Sequence, residues 1–228
     1  MRISQVGNDS AEETYIAKMR FLCLHGAGTS AESLNRQGGI TQALEDEGHE
    51  FVYVDGRVES APEPDLQGAG IPPFFTHYRR DQAPGEELGL AMDHVKDIIA
   101  KRGPFDAVMG FSQGSALAAS LLVNHGRTND QPLFKLAVFI CGAAPYDPAN
   151  GLEFVTATEE KYPITIPTTH IVGKQDPVYP LSMKLYAVCD PSQAEFYDHG
   201  SRHLIPFDLK NTEAMIATIK KTIARASQ

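Results

Sequence analysis

Six short runs rich in β-branched and aromatic residues punctuate the chain: Phe21 to His25, Phe51 to Val54, Asp106 to Phe111, Leu136 to Cys141, Thr169 to Val172 and Ala194 to His199. Runs of this length and composition predict strands. The first, third, fourth and fifth are apolar on both faces, as strands of a parallel sheet must be when helices cover both sides. Between the runs the period changes. Leu88, Ala91, Met92, Val95, Ile98 and Ile99 recur at three and four residues and predict an amphipathic helix ending near Gly103-Pro104. The segment from Ser115 to about His125 is apolar all round, which predicts a helix buried against the sheet. Met215, Ile216, Ile219 and Ile223 form a last stripe, with Asp208 placed to cap its N-terminus. Strand and helix in alternation predict an α/β fold, with a mostly parallel sheet of about six strands and helices on both faces.

Two connections are longer than the rest. Asp55 to Gly85 carries Pro62, Pro64, Pro72, Pro73 and Pro84, so neither helix nor strand runs far through it. Its aromatic residues Phe74, Phe75 and Tyr78 predict an ordered wall packed on something apolar. The second connection, Ala143 to Pro167, holds Tyr146, Phe154 and Tyr162. No repeat or low-complexity linker interrupts the pattern, which predicts residues 1–18 as an N-terminal extension and 19–228 as one domain.

Composition narrows the function. With 42% hydrophobic and 21% charged residues in a chain of 228, this is the make-up of a globular protein. Twenty Lys and Arg against 29 Asp and Glu leave a formal charge of −9, whose average field repels polyanions and excludes nucleic acid as the main partner. Cys23, Cys141 and Cys189 make neither a fully paired disulfide framework nor a CxxC pair. Cys23 and Cys141 lie in apolar runs, where a thiol acts as a small hydrophobe. The N-terminus shows no signal-peptide core and no apolar stretch is long enough for a bilayer, so a cytoplasmic location without a membrane partner is expected.

The chemistry gathers at strand-to-helix turns. Gly110-Phe111-Ser112-Gln113-Gly114 is G-x-S-x-G between a predicted strand and a predicted helix, the context in which the motif presents a nucleophilic serine. A Cβ at 110 or 114 would collide with the turn. The competing role for Ser112 is a simple helix N-cap. A serine nucleophile needs a base oriented by a carboxylate, and in this setting the order along the chain is Ser, Asp, His. Asp176 follows the fifth strand, with Asp147, Asp190 and Asp198 as alternatives. His203 lies between the last strand and last helix, with His199 as its close rival. For the oxyanion, the expected donors are the amides of Gln113, at a helix N-terminus, and Ala27, in the loop His25-Gly26-Ala27-Gly28. That loop lacks the third glycine of a dinucleotide fingerprint, and no cofactor or metal is expected.

LCLHGAG, FVYVDG, GPFDAVMGFSQGSALAASLL, FICGAAPYD, IPTTHIVGKQDPVYP and HGSRHLIP together resemble the small serine hydrolase family, widespread in fungi, that includes the polyketide-releasing thioesterase of lovastatin biosynthesis. The likeness runs from about Arg20 to the C-terminus. It implies a compact α/β-hydrolase fold, a triad at Ser112, Asp176 and His203, and hydrolysis of an ester or thioester. One departure is visible: where the family often has Gly-Gly-His, Ser201-Arg202 precede His203, leaving Arg202 to meet a substrate carboxylate or to face water. The expected activity is release of an acyl or polyketide chain from a carrier-protein thioester in secondary metabolism, with a small-molecule carboxylesterase as the alternative and a noncatalytic binder or cyclase behind both. The acyl chain is expected against Phe74, Phe75, Tyr78 and Tyr146. An acyl carrier protein as partner would require a local basic patch, such as Arg79-Arg80 or Lys174, to overcome the average charge.

Overall fold

A computed structural model describes residues 18–37, 39–64, 72–80, 82–158 and 161–228; the expected N-terminal extension lies outside them except for Lys18. Along the chain run β1 (Arg20–Leu24), α1 (Ala31–Asn35), α2 (Gly39–Asp46), β2 (Glu50–Val54), β3 (Val58–Glu59), β4 (Phe75–Thr76) and α3 (Glu86–Arg102). The second half holds β5 (Ala107–Phe111), α4 (Gln113–Gly126), β6 (Leu136–Ile140), β7 (Thr168–Val172), α5 (Tyr179–Ala187), β8 (Ala194–Asp198) and α6 (Leu209–Ala226). The six predicted strands form one sheet in the order β2-β1-β5-β6-β7-β8. All neighbours run parallel.

That order carries the functional geometry. The chain starts inside the sheet, moves outward to β2, then crosses back to β5 and winds the other way. At such a reversal the loops leaving the carboxyl ends of the two adjoining strands diverge and open a crevice, here between the loops after β1 and β5.

Alternate residues of each strand feed two separate cores. On one face Leu22, Leu24, Val108 and Phe139 pack with Leu88 and Val95 of α3, Leu117 and Leu121 of α4 and Leu185 of α5. On the other, Phe21, Cys23, Met109, Val138 and Ile140 pack with Leu44 of α2 and Met215, Ile219 and Ile223 of α6. Burial on both faces is why these strands read as continuous apolar runs. Helix α4 is buried without a break from Gln113 to Val123, and it starts two residues before the expected Ser115. Asp208 caps α6 by accepting the Asn211 N–H at 3.0 Å.

The short antiparallel pair β3–β4 was not anticipated, because its two-residue strands lie in the proline-rich connection and are held by contacts distant in sequence. Within that connection Phe74 and Tyr78 are buried, so its described aromatic part is an ordered wall. Among the described residues no helix is long and apolar enough to cross a membrane.

Candidate active site

Ser112 occupies the single residue between β5 and α4, at φ 52° and ψ −115°. A side-chain-bearing residue in this region carries strain of order 1–3 kcal/mol, which the surroundings must hold in place. They do so through the backbone: the Ser112 N–H donates to Ile140 O at 2.9 Å, and Ser112 O accepts from Ser115 N–H at 3.1 Å. A Cβ on Gly110 would lie 2.5 Å from the Ser115 nitrogen, and one on Gly114 would overlap the Leu24 carbonyl oxygen. Both glycines are therefore required by close packing of strand, turn and helix. Although Ser112 stands at the N-cap position, its side chain makes no capping hydrogen bond. Its Oγ turns instead to His203.

His203 Nε2 lies 2.9 Å from Ser112 Oγ, and His203 Nδ1 lies 2.7 Å from Asp176 Oδ2. The other carboxylate oxygen of Asp176 accepts the Val178 N–H at 2.7 Å, on the loop leading into α5. Asp176 is buried and His203 is partly exposed, with its ring tilted against Phe111 at 5.1 Å between centroids. Two loops are locked together behind the pair, since Gln175 N–H donates to Ser201 O at 3.1 Å. The alternatives are engaged elsewhere. His199 accepts the Ser201 N–H on Nδ1 at 3.2 Å and turns Nε2 toward Cys141 Sγ at 3.6 Å. Asp147 pairs with Arg127 at 2.7 Å, Asp190 accepts from Ser192, and Asp198 accepts from the Lys174 and Gly200 amides.

Gly26 brings the loop after β1 against the nucleophile: a Cβ there would stand 3.3 Å from Ser112 Cβ. Among the described residues, the buried amides of Ala27 and Gln113 have no hydrogen-bond acceptor. Two networks fix these amides. The Gly26 carbonyl accepts from His25 Nδ1 at 2.6 Å and from Thr29 Oγ1 at 2.6 Å. The Gln113 side chain accepts from the Thr76 hydroxyl at 2.7 Å and the His77 N–H at 2.9 Å, and donates to Tyr78 O at 2.8 Å. His77 closes the circuit by donating Nε2–H to His25 O at 3.0 Å. Burial drives the His25 imidazole below its ordinary pKa and the His77 imidazole down to about 3, so both rings are neutral at pH 7. Sequence reading did not single out the side chains of His25, Thr29 and Gln113, whose partners are mostly set by tertiary structure.

The four aromatic residues expected at the acyl chain fall into two settings. Phe75 is bonded to the loop after β1, accepting the Gly28 N–H at 2.9 Å and donating to Thr29 O at 2.6 Å, with buried Phe74 beside it. Tyr78 lies in the core and meets Tyr146 edge-on at 6.3 Å, and Tyr146 packs on Phe154 at 4.7 Å. A separate open cleft of about 500 Å³, lined by Arg127, Asp147, Phe154 and Lys161, includes none of the residues around Ser112. Arg202 is exposed. Cys141 is fully buried at φ 46°, and burial, reinforced by the Asp176 charge, pushes its thiol above the ordinary range.

The parallel six-stranded sheet with helices on both faces is that of an α/β hydrolase. The serine hydrolase (FSH1) family model matches residues 14–215, and the chain belongs to that family. Esterase FPY3 of Fusarium mangiferae is 33% identical over 217 residues, covering 91% of this chain and 98% of its own. A carboxylesterase from Mesorhizobium loti superposes with a TM-score of 0.61 at 16% identity, over 90% of this chain and 89% of its own. Acyl-protein thioesterase 2 of Zea mays gives a TM-score of 0.55 at 20% identity, over 90% and 94%. Both structures are similar in fold.

Proposed function

We propose that this chain, through one domain spanning 19–228, hydrolyses acyl esters and thioesters by way of an acyl-enzyme on Ser112. The observation that carries the reading is the position of His203, which bridges Ser112 Oγ at 2.9 Å and Asp176 Oδ2 at 2.7 Å. In the first step Ser112 Oγ attacks the acyl carbon while His203 Nε2 takes its proton. Asp176 stabilises the imidazolium and holds the proton on Nδ1. The Ala27 and Gln113 N–H groups receive the oxyanion, helped by the dipole at the start of α4. Collapse expels the alcohol or thiol, with His203 returning the proton. Water then enters, gives its proton to His203 and releases the acid, regenerating Ser112.

The substrate we favour is an acyl or polyketide thioester on a carrier protein, on the strength of the family resemblance. A small-molecule ester is the second reading; the esterase name of FPY3 and the charge of −9, which opposes docking of an acidic carrier, favour it. The aromatic wall at Phe74 and Phe75 supports an apolar acyl group in either case.

A fluorophosphonate probe should label the wild type and fail on Ser112→Ala. Labelling of both proteins, or of neither, would overturn the acyl-enzyme reading. Turnover of matched p-nitrophenyl esters, acyl-thioester mimics and an acylated carrier protein then separates the two substrate classes. Thioester turnover no better than that of the matched ester would reverse our preference.

A further inference from the structure

Beside the imidazole of His203 lies a thiol, that of Cys141, which the acyl-transfer steps do not use. Cys141 Sγ, an Asp176 carboxylate oxygen and a His203 ring nitrogen lie within 4.8 Å of one another. Cysteine, histidine and aspartate are the donor types that hold zinc and its soft congeners. Thiolate and carboxylate together would carry two negative charges to match a divalent cation. A fourth residue supports the thiolate from outside: the Nδ1 of His199 accepts the Ser201 N–H, so its proton is on Nε2, which faces Cys141 Sγ at 3.6 Å. A donor in that position stabilises a metal-bound sulfur without competing for the ion.

We propose that Cys141, Asp176 and His203 form an inhibitory site for a thiophilic divalent cation of the zinc and cadmium class. The cation enters from the His203 side, because Cys141 and Asp176 are buried and His203 is partly exposed. It binds Cys141 Sγ, whose thiol proton leaves to solvent, one Asp176 oxygen, and His203 through Nδ1, the nitrogen facing Asp176. The ring proton moves from Nδ1 to Nε2, and Nε2 then donates toward Ser112 Oγ instead of accepting from it. The general base is lost by these reversible proton shifts alone, and a chelator that removes the cation restores it as the thiol and Nδ1 regain their protons. The inhibitory consequence rests on the acyl-enzyme reading; the binding site does not.

The test is titration of the full chain with cadmium chloride in a non-chelating buffer, following the ultraviolet thiolate-to-cadmium charge-transfer band and ester hydrolysis in parallel. A band saturating at one cadmium per chain is expected, with hydrolysis falling in step and returning on addition of EDTA. Cys141→Ser should lose the band and need at least roughly 10–100-fold more cadmium for inhibition, the loss that even an outer-shell partner brings. Cys141→Ala serves if the serine variant does not fold, and Cys23→Ala with Cys189→Ala should keep the band. A band that survives removal of Cys141, no band in the wild type, or inhibition indifferent to Cys141 would overturn the proposal. If the protein hydrolyses nothing, the acyl-enzyme reading fails while the band still decides the site.

Discussion

His25 donates its Nδ1–H to the carbonyl oxygen of its immediate neighbour, Gly26, at 2.6 Å, while its Nε2 accepts the Gly56 N–H at 2.9 Å. The two bonds fix the tautomer. They also fix a peptide plane, because the Gly26 C=O and the Ala27 N–H belong to one planar trans unit and point in opposite directions. Holding the carbonyl toward His25 and Thr29 therefore aims the Ala27 amide the other way. Thr29→Val removes one of the two donors to that carbonyl and lets the plane rock. We expect kcat to fall roughly tenfold, part of the 2.7–4 kcal/mol that a whole oxyanion donor supplies, with KM little changed. Thr29→Ser should restore it. Steady-state kinetics on a p-nitrophenyl ester would contradict this role if Thr29→Val changed KM alone.

The other oxyanion amide is held by a different device. The Gln113 side chain spans Thr76, His77 and Tyr78, so the first residue of α4 is tied to the described part of the proline-rich connection. In Gln113→Leu the His77 N–H loses its partner in a buried setting, while the Tyr78 carbonyl keeps the Thr76 hydroxyl at 2.8 Å as a donor. An unsatisfied buried group costs about 1–3 kcal/mol, and a loss of about that size in urea unfolding is expected. Activity should fall beyond what partial unfolding explains, because the Gln113 amide moves with its side chain. A variant of wild-type stability would show that the connection is held without this clamp.

The division between what was legible in the sequence and what was not follows the range of the interactions. Strands such as Phe21 to Leu24, and the stripe from Leu88 to Ile99, are stated by local periodicity. So is the turn at Ser112, where two glycines and the switch from strand to helix lie within five residues. The loops of Asp176 and His203 could be assigned from element order alone. What could not be read depends on side chains meeting across the fold. Gln113 reaches Thr76 and Tyr78 from far along the chain, and the β3–β4 pair exists only because the connection folds back. Cys141 looked like one more apolar residue of a strand; it stands instead just past the end of β6, at positive φ, with its thiol facing His199.

Asp176 offers a sharper test of the proposed chemistry. Its Oδ1 accepts a backbone N–H from Val178 and its Oδ2 faces His203 Nδ1. In Asp176→Asn the Val178 N–H selects the amide oxygen for its own side, leaving the NH₂ group to face His203. Nδ1 must then accept, the ring proton moves to Nε2, and the base can no longer take the Ser112 proton. We expect kcat to drop by about 10⁴ with little change in melting temperature, as the wrong tautomer does in other serine hydrolases. A loss below about tenfold would show that Asp176 does not set the tautomer.

The last prediction concerns acid stability and a histidine outside the site. His170 is buried in β7, with Nε2 3.1 Å from Thr168 Oγ1 and its ring between Phe139 at 5.3 Å and Tyr186 at 5.0 Å. Burial lowers its pKa from 6.5 to about 3. Above pH 6.5 the ring is neutral in folded and unfolded chains alike, and it adds no pH dependence. As pH falls from 6.5 toward 3 the unfolded chain takes up a proton that the folded one refuses, so stability is lost throughout that window. The slope is roughly 1.4 kcal/mol per pH unit for one such group. His77 adds a second group with the same sign, since burial takes it to about 3 as well. His170→Gln keeps an amide near Thr168 and cannot titrate. Urea unfolding at a series of pH values between about 4 and 6 should therefore give a slope shallower by one proton than wild type, whatever the cost of the substitution at neutral pH. Parallel slopes in the two proteins would mean that His170 is protonated in the folded chain.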